Sequence, residues 1–360
     1  MRIALGYSVE PIRLERVACP RCNSENASPV YSAHDYLYGL PGTFYAESCD
    51  DCGLWFQNPR PVETDLSELY PATYAPHAES TFRFSAPPKR VNWVRSCWRG
   101  WNSGYLTRQL GYRHRADADF GNRRGWVDFW NRLGAAIGGA ISSAARWRAG
   151  VDLIPRFVPD GRLLELGCGN GDSLKKLRDL GWRNLHGVEL SESAARIARR
   201  SGFVVKTANI ETALESYPDG WFDAIVAEMV LEHLVNPFTV VQQIARKLKP
   251  GGEFLFSTVI RDSVDGLIFG RYGVSYDFPR HMVFFRKHDL NEMLRADFDR
   301  VQSWHQSTPI DFYRPAYLRD GRVDGRLGSF FKSRAGAQLV WLLARLNLMG
   351  RVSYRCRRKH

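Results

Sequence analysis

The chain has no apolar run approaching the ~18 residues that a membrane-spanning helix needs, although 44% of its 360 residues are hydrophobic. The two best stretches, Ala135–Ala145 and Gln338–Met349, are interrupted by glycines and by Arg345 respectively. Residues 1–10 lack the basic cluster and long apolar segment of an export signal, which points to a cytoplasmic protein. Cysteine is scarce, seven residues in all, and Cys97, Cys168 and Cys356 sit in contexts that suggest no nucleophile. Thiols stay reduced in the cytoplasm, so a disulfide framework is not expected. Length is not lacking: the chain exceeds one typical domain and can bury a substantial core.

Acidic charge is missing where basic charge is dense. The formal net charge is +12, but residues 1–80 carry five basic against eleven acidic side chains and residues 151–313 are nearly balanced at −2. Residues 81–150 and 314–360 each carry a net +10. Excess confined to two segments suggests a polyanionic partner or surface rather than a requirement of the fold. Residues 81–150 also hold six of the eleven tryptophans, Trp93, Trp98, Trp101, Trp126, Trp130 and Trp147. Val91, Val94, Trp98, Trp101 and Tyr105 recur at helical spacing beside Arg95, Arg99 and Arg108. Three readings stay open: a lid over the core, a helix lying on an anionic membrane surface, or a clamp for RNA. Ala335–Leu348, followed by Arg355, Arg357, Arg358 and Lys359, adds weight to the membrane surface.

The most informative stretch is Leu163-Leu164-Glu165-Leu166-Gly167-Cys168-Gly169-Asn170-Gly171, a strand that runs into glycines ahead of a helical pattern. Glycines there let the backbone approach a ligand closely. Glu189 ends the next apolar run, where an acid can hydrogen-bond the two hydroxyls of a ribose. The site therefore reads as a nucleoside pocket. Dinucleotide sites space their glycines as Gly-x-Gly-x-x-Gly, whereas the third glycine here comes one position early and Glu165 precedes the set.

This stretch resembles motif I of class I S-adenosylmethionine-dependent methyltransferases, Glu/Asp-x-Gly-x-Gly-x-Gly. Phe222–Ala227 followed by Glu228–Leu234 resembles their fourth strand, and Leu248–Gly252 their turn before strand five. The resemblance spans residues 161–306. It implies an α/β fold with a Rossmann-like seven-stranded sheet, mostly parallel with the last strand antiparallel. It also implies that Glu165 reaches the methionine amino group of S-adenosylmethionine, that Gly167, Gly169 and Gly171 line methionine and ribose, that Asn209 and Ile210 meet adenine, and that Glu228 lies beside the sulfonium. Relatives often carry Asp at the position of Asn209. In similar sugar C-methyltransferases a His at the place of His233 is the base. His281 lies in a Pro-Arg-His-Met segment like one that covers the acceptor in related enzymes, and a packed histidine is the competing account for both. Ser257-Thr258-Val259-Ile260 departs from the Thr-Pro-Asn that relatives often show there.

Cys19-Pro-Arg-Cys22 and Cys49-Asp-Asp-Cys52, separated by 26 residues, match a closed four-thiolate zinc site that folds a small domain and leaves no open coordination position. The aromatic and proline pattern after it, Leu54–Pro61 and Leu69–Tyr74, resembles methyltransferases with an N-terminal zinc-binding module, many of which act on sugars or surface glycans.

Alternating helix and strand patterns from residue 161 onward predict the sheet. Expected units are a zinc-ribbon-like module over 1–75, a basic helical insert over 76–150, and a catalytic domain over 151–360 with a helical insertion at about 307–349. The expected function is methylation of a sugar, nucleotide-sugar or lipid-linked glycan by a cytoplasmic enzyme, with peripheral contact to an anionic membrane surface. RNA methylation is the alternative, weakened because no Asn/Asp-Pro-Pro-aromatic sequence follows strand four and no catalytic cysteine pair or Lys-Asp-Lys-Glu set is evident. A non-catalytic scaffold built on the zinc module is a third reading.

Overall fold

A computed structural model describes residues 12–70, 110–112, 153–306, 310–320 and 325–360. The basic insert expected over 76–150, with its tryptophans and Cys97, lies outside the described residues apart from 110–112.

The N-terminal segment contributes β1 (Leu14–Glu15), β2 (Ala27–Ala33), β3 (Phe44–Cys49), β4 (Trp55–Gln57) and β5 (Arg60–Pro61). From residue 162 the elements alternate: β6 (Arg162–Leu166), α1 (Asp172–Asp179), β7 (Asn184–Glu189), α2 (Glu192–Arg200), β8 (Val204–Thr207), α3 (Ile210–Glu215), β9 (Phe222–Glu228), α4 (Pro237–Lys247) and β10 (Leu248–Val259). They continue with α5 (Val264–Phe269), β11 (Val283–Phe284), α6 (Lys287–Arg295), β12 (Phe298–Gln306), α7 (Ile310–Asp320), α8 (Arg326–Lys332), α9 (Arg334–Arg345) and β13 (Arg351–Arg358).

Seven strands form one sheet in the order β12-β13-β10-β9-β6-β7-β8. Pairs from β10 through β8 are parallel, and β13 is antiparallel to both of its neighbours, β10 and β12. This is the sheet the sequence implied. Alternation explains its two packed faces, because successive strand residues point to opposite sides. Leu164, Leu166, Ile225, Phe254 and Phe256 pack with Val240, Ile244, Leu290 and Leu294 of α4 and α6. Leu163, Ala224, Val226 and Leu255 pack instead with Leu174, Leu177, Ala195 and Ala198 of α1 and α2. Strand β10 begins earlier than expected, at Leu248, and a register shift takes up Lys249–Gly252 before pairing with β9 resumes at Glu253. Gly251 at φ +76 turns the chain there.

The cysteine-bearing segment is not a free appendage. A second sheet has the order β11-β4-β3-β2, so Val283–Phe284, from the far side of β10 in sequence, pairs with Trp55–Phe56. Leu54, Phe56 and Leu69 share one apolar cluster with the α4 and α6 face of the large sheet.

Candidate active site

The glycine turn between β6 and α1 is strained in a way only glycine relieves. Gly167 and Gly171 have φ of +67 and +81, and a Cβ on Gly167 would stand 2.8 Å from Val230 Cγ2. Gly171 is the N-cap of α1, where a Cβ would press on Ala198 and Phe203. The amides of Gly167 and Cys168 donate to Val188 O, which ties the turn to β7.

Glu189, at the end of β7, is buried. Its Oε2 accepts from Gly169 N and its Oε1 from Ser191 N, each at 2.8 Å. Two backbone amides thus hold the carboxylate against the glycine turn. Glu165 is also buried, and its Oε2 has no hydrogen-bond partner. Burial pushes its carboxyl well above the usual carboxylate range, and the charge of Glu228 adds to the effect. A buried carboxyl group with an unmet oxygen is costly unless a cation or donor completes it.

Ala208 N donates to the main-chain O of Glu189, which brings the start of α3 beside the end of β7. Asn209 caps α3, its Oδ1 accepting from Glu211 N at 2.8 Å, so that oxygen is engaged locally, and Ile210 is half-buried. Glu228, the last residue of β9, is exposed. Met229 next to it has φ +53, a left-handed conformation uncommon for a non-glycine residue and a mark of a shaped loop.

Across this edge, the two histidines named by the sequence meet. Their rings lie 4.8 Å apart, edge to face. His233 closes a short 3-10 turn over Leu231–His233, and its Nδ1 lies 3.0 Å from Arg280 O and 3.2 Å from Tyr70 Oη. His281 Nδ1 lies 3.1 Å from Ser275 O. A carbonyl can only accept, so both rings carry their proton on Nδ1 and present Nε2 as the lone pair. Burial, then the neighbouring His281, brings the His233 pKa down to about 4, and burial lowers His281 as well. Below them Glu232 is fully buried, with Oε2 accepting from Thr258 Oγ1 at 2.7 Å and Oε1 unmet. Donor atoms of Glu232, His233 and His281 fall within 4.8 Å of one another.

Arg280 fastens this corner. Its guanidinium is wholly buried, reaching Asp35 of the N-terminal segment at 2.7 Å and 3.0 Å and Asp277 at 2.7 Å. It also stacks on the Tyr38 ring. Sequence reasoning assigned no role to Tyr70 or Asp35. Both come from more than 160 residues away in the chain; Tyr70 lies in the Leu69–Tyr74 pattern, but nothing in that pattern points to His233.

The four paired cysteines converge. Cys19 Sγ is 3.6 Å from Cys52 Sγ and Cys22 Sγ is 3.5 Å from Cys49 Sγ, and all four lie within 4.8 Å of one another. Tetrahedral thiolates on zinc bonds of about 2.3 Å stand roughly 3.8 Å apart, so the set fits that ion. Gly53 at φ +72 and Asn23 at φ +60 form the left-handed turns of the two knuckles. Burial pushes the Cys19 thiol up. Cys49 is also raised by burial, but the amides of Cys52 and Asp51 outweigh it and hold the thiol below its usual value.

Residues 142–302 match the family described as Methyltransferase domain. This stretch, a little under half of the chain, is similar to methyltransferase domains. Similar proteins include the ubiquinone biosynthesis O-methyltransferase of Ralstonia nicotianae, 34% identical over 46% of this chain and 65% of that protein. Its counterpart in Erwinia tasmaniensis is 28% identical over 41% of this chain and 61% of that protein. The chain spans about three fifths to two thirds of the length of these two relatives. Among solved structures, a SAM dependent methyltransferase from Archaeoglobus fulgidus matches at TM-score 0.41 and 20% identity, over 59% of this chain and 91% of that one. The cysteine knuckles, Asp35 and Tyr70 lie N-terminal to the part of the chain that matches the methyltransferase domain.

Proposed function

We propose that the protein transfers a methyl group from S-adenosylmethionine to an oxygen or carbon of a sugar, nucleotide-sugar or lipid-linked glycan, with His233 as base. The observation that supports this most is the placement of an unmet buried Glu165 oxygen and the amide-held Glu189 on the same sheet edge as the His233–His281 pair. The bound donor supplies an electrophilic methyl on a sulfonium. Glu165 would receive its amino group, which satisfies the orphaned oxygen. Glu189 would accept from the ribose hydroxyls, and the glycine turn would let the nucleoside lie close. Leu190, exposed next to Glu189, offers an apolar surface for adenine. His233 Nε2 would take the acceptor proton as the new bond forms, with alignment supplying much of the rate. Glu189→Ala is expected to weaken donor binding by about 1–3 kcal/mol. Calorimetry with S-adenosylmethionine measures it, and unchanged affinity removes Glu189 from the pocket. The absence of any donor heat in the wild type would favour a non-catalytic scaffold.

A second reading follows from the named relatives, which are O-methyltransferases of ubiquinone biosynthesis: the acceptor is then an aromatic hydroxyl. Turnover of labelled donor against nucleotide-sugars, glycans, phenolic lipids and RNA separates these readings. A flat dependence of RNA affinity on salt would end the nucleic-acid alternative.

The four cysteines are proposed to hold one structural zinc. Elemental analysis should give one zinc per chain, and Cys22→Ser should lower both metal content and melting temperature because metal binding supplies folding energy. Full melting temperature after exhaustive chelation would refute a structural ion.

A further inference from the structure

We propose that the helical face formed by α5, α8 and α9 docks on an anionic phospholipid bilayer. The inward side of α9 is ordinary: Val340 and Ala344 pack with Phe269 of α5, Phe312 of α7 and Phe331 of α8 in one cluster. The outward side is not. Leu339, Leu342 and Leu346 recur at spacings of three and four and are all exposed, where a helix at a protein–water boundary normally turns polar residues outward. Leu267 on α5 is 82% exposed with Ile268 beside it, and Val264 N donates to Leu348 O, which joins α5 to the end of the α9 stripe. Exposed apolar side chains thus recur on two neighbouring elements, more than the single scattered residues normal at a surface.

The charge around this face identifies its occupant. α8 and α9 carry Arg326, Lys332, Arg334 and Arg345 and no Asp or Glu. Arg334 and Arg345 flank the stripe in exposed positions, and Arg345 stacks at 4.6 Å on Trp341, which is half-buried at its edge. Apolar residues with a tryptophan at the margin and cations around them suit the headgroup layer of an anionic membrane. A second copy presenting the same face would set arginines against arginines. No described helix is long and apolar enough to cross a membrane, so the contact lies on the surface. The placement has a use. α5 leaves the carboxyl end of β10, and the segment after it carries His281, so a docked α5 turns the acceptor side toward lipid.

Co-sedimentation with vesicles of phosphatidylcholine alone and of phosphatidylcholine with phosphatidylglycerol tests the proposal, in the absence of donor and acceptor. The full chain should bind the anionic vesicles at least tenfold more tightly than the neutral ones. The surface double substitution Leu342→Glu/Leu346→Glu should abolish that binding while leaving melting temperature and turnover of a water-soluble acceptor unchanged. Arg334→Gln/Arg345→Gln should weaken it and flatten its salt dependence. Equal binding to neutral vesicles, or wild-type binding by the leucine variant, overturns the proposal; in the second case the contact belongs to residues 76–150. A dimer in light scattering that the leucine variant dissociates, with no vesicle binding, also overturns it and makes the face a contact between copies. Methyl transfer is read separately, so failure here leaves the proposed reaction standing.

Discussion

His233→Ala protein turns over about 10²-fold more slowly than wild type, or slower still, with its affinity for S-adenosylmethionine unchanged. The reason is positional. Arg280 O fixes the proton on Nδ1, so Nε2 is the basic atom, and the ring rests edge to face on His281. The pH profile gives an independent readout. Burial, with the neighbouring His281, holds the His233 pKa near 4, so the neutral base form persists through the mildly acidic range. The acid limb of kcat/KM attributable to this group should therefore fall well below pH 6.5. The sign for stability follows from the same shift. A histidine depressed in the folded state contributes stability that is fully present above its unfolded value near 6.5 and lost as pH falls toward 4, because the unfolded chain takes up the proton first. Full turnover by His233→Ala would transfer the role to His281 or to desolvation alone, and a limb at 6.5 would mean that the ring is solvated.

Arg280→Ala is the most destabilising single change expected among the described residues. It would leave the buried Asp35 and the partly buried Asp277 without the guanidinium that bridges them. Removing one partner of such a set costs about 3–5 kcal/mol, a large share of the ~5–15 kcal/mol that holds a typical protein folded. A fall in melting temperature of roughly 6–20 °C follows for a unit of this size. Arg280→Lys should recover only part of it, because an ammonium cannot make the forked contacts to Asp35 at 2.7 Å and 3.0 Å. Calorimetric melting of the three proteins checks this. A melting temperature for Arg280→Ala equal to wild type would mean that the corner is wet.

The large sheet was legible in the sequence because its strands are apolar runs bounded by glycine, proline and capping residues. Ser191 and Asn236 cap α2 and α4 as their residue types suggest, and Glu189 ends β7 as read. The proposed donor side lies within one continuous stretch, so local pattern sufficed to nominate it. The proposed acceptor side did not. His233 and His281 could be named, but their meeting depends on contacts between segments far apart in the chain. Tyr70 was part of a recognisable aromatic pattern but without a link to His233, and Asp35 beneath Arg280 carries no local signature. Asn209, expected by resemblance to meet adenine, follows β8 and caps α3 through Glu211 N.

The pairing of Val283–Phe284 with Trp55–Phe56 has a consequence for any attempt to dissect the enzyme. A truncation that begins after residue 70 would strip β11 of its neighbour and lay bare the apolar surface that Leu54, Phe56 and Leu69 cover. The isolated catalytic half is then an aggregation-prone fragment, and a chimera must graft the knuckled segment together with the loop that follows α5.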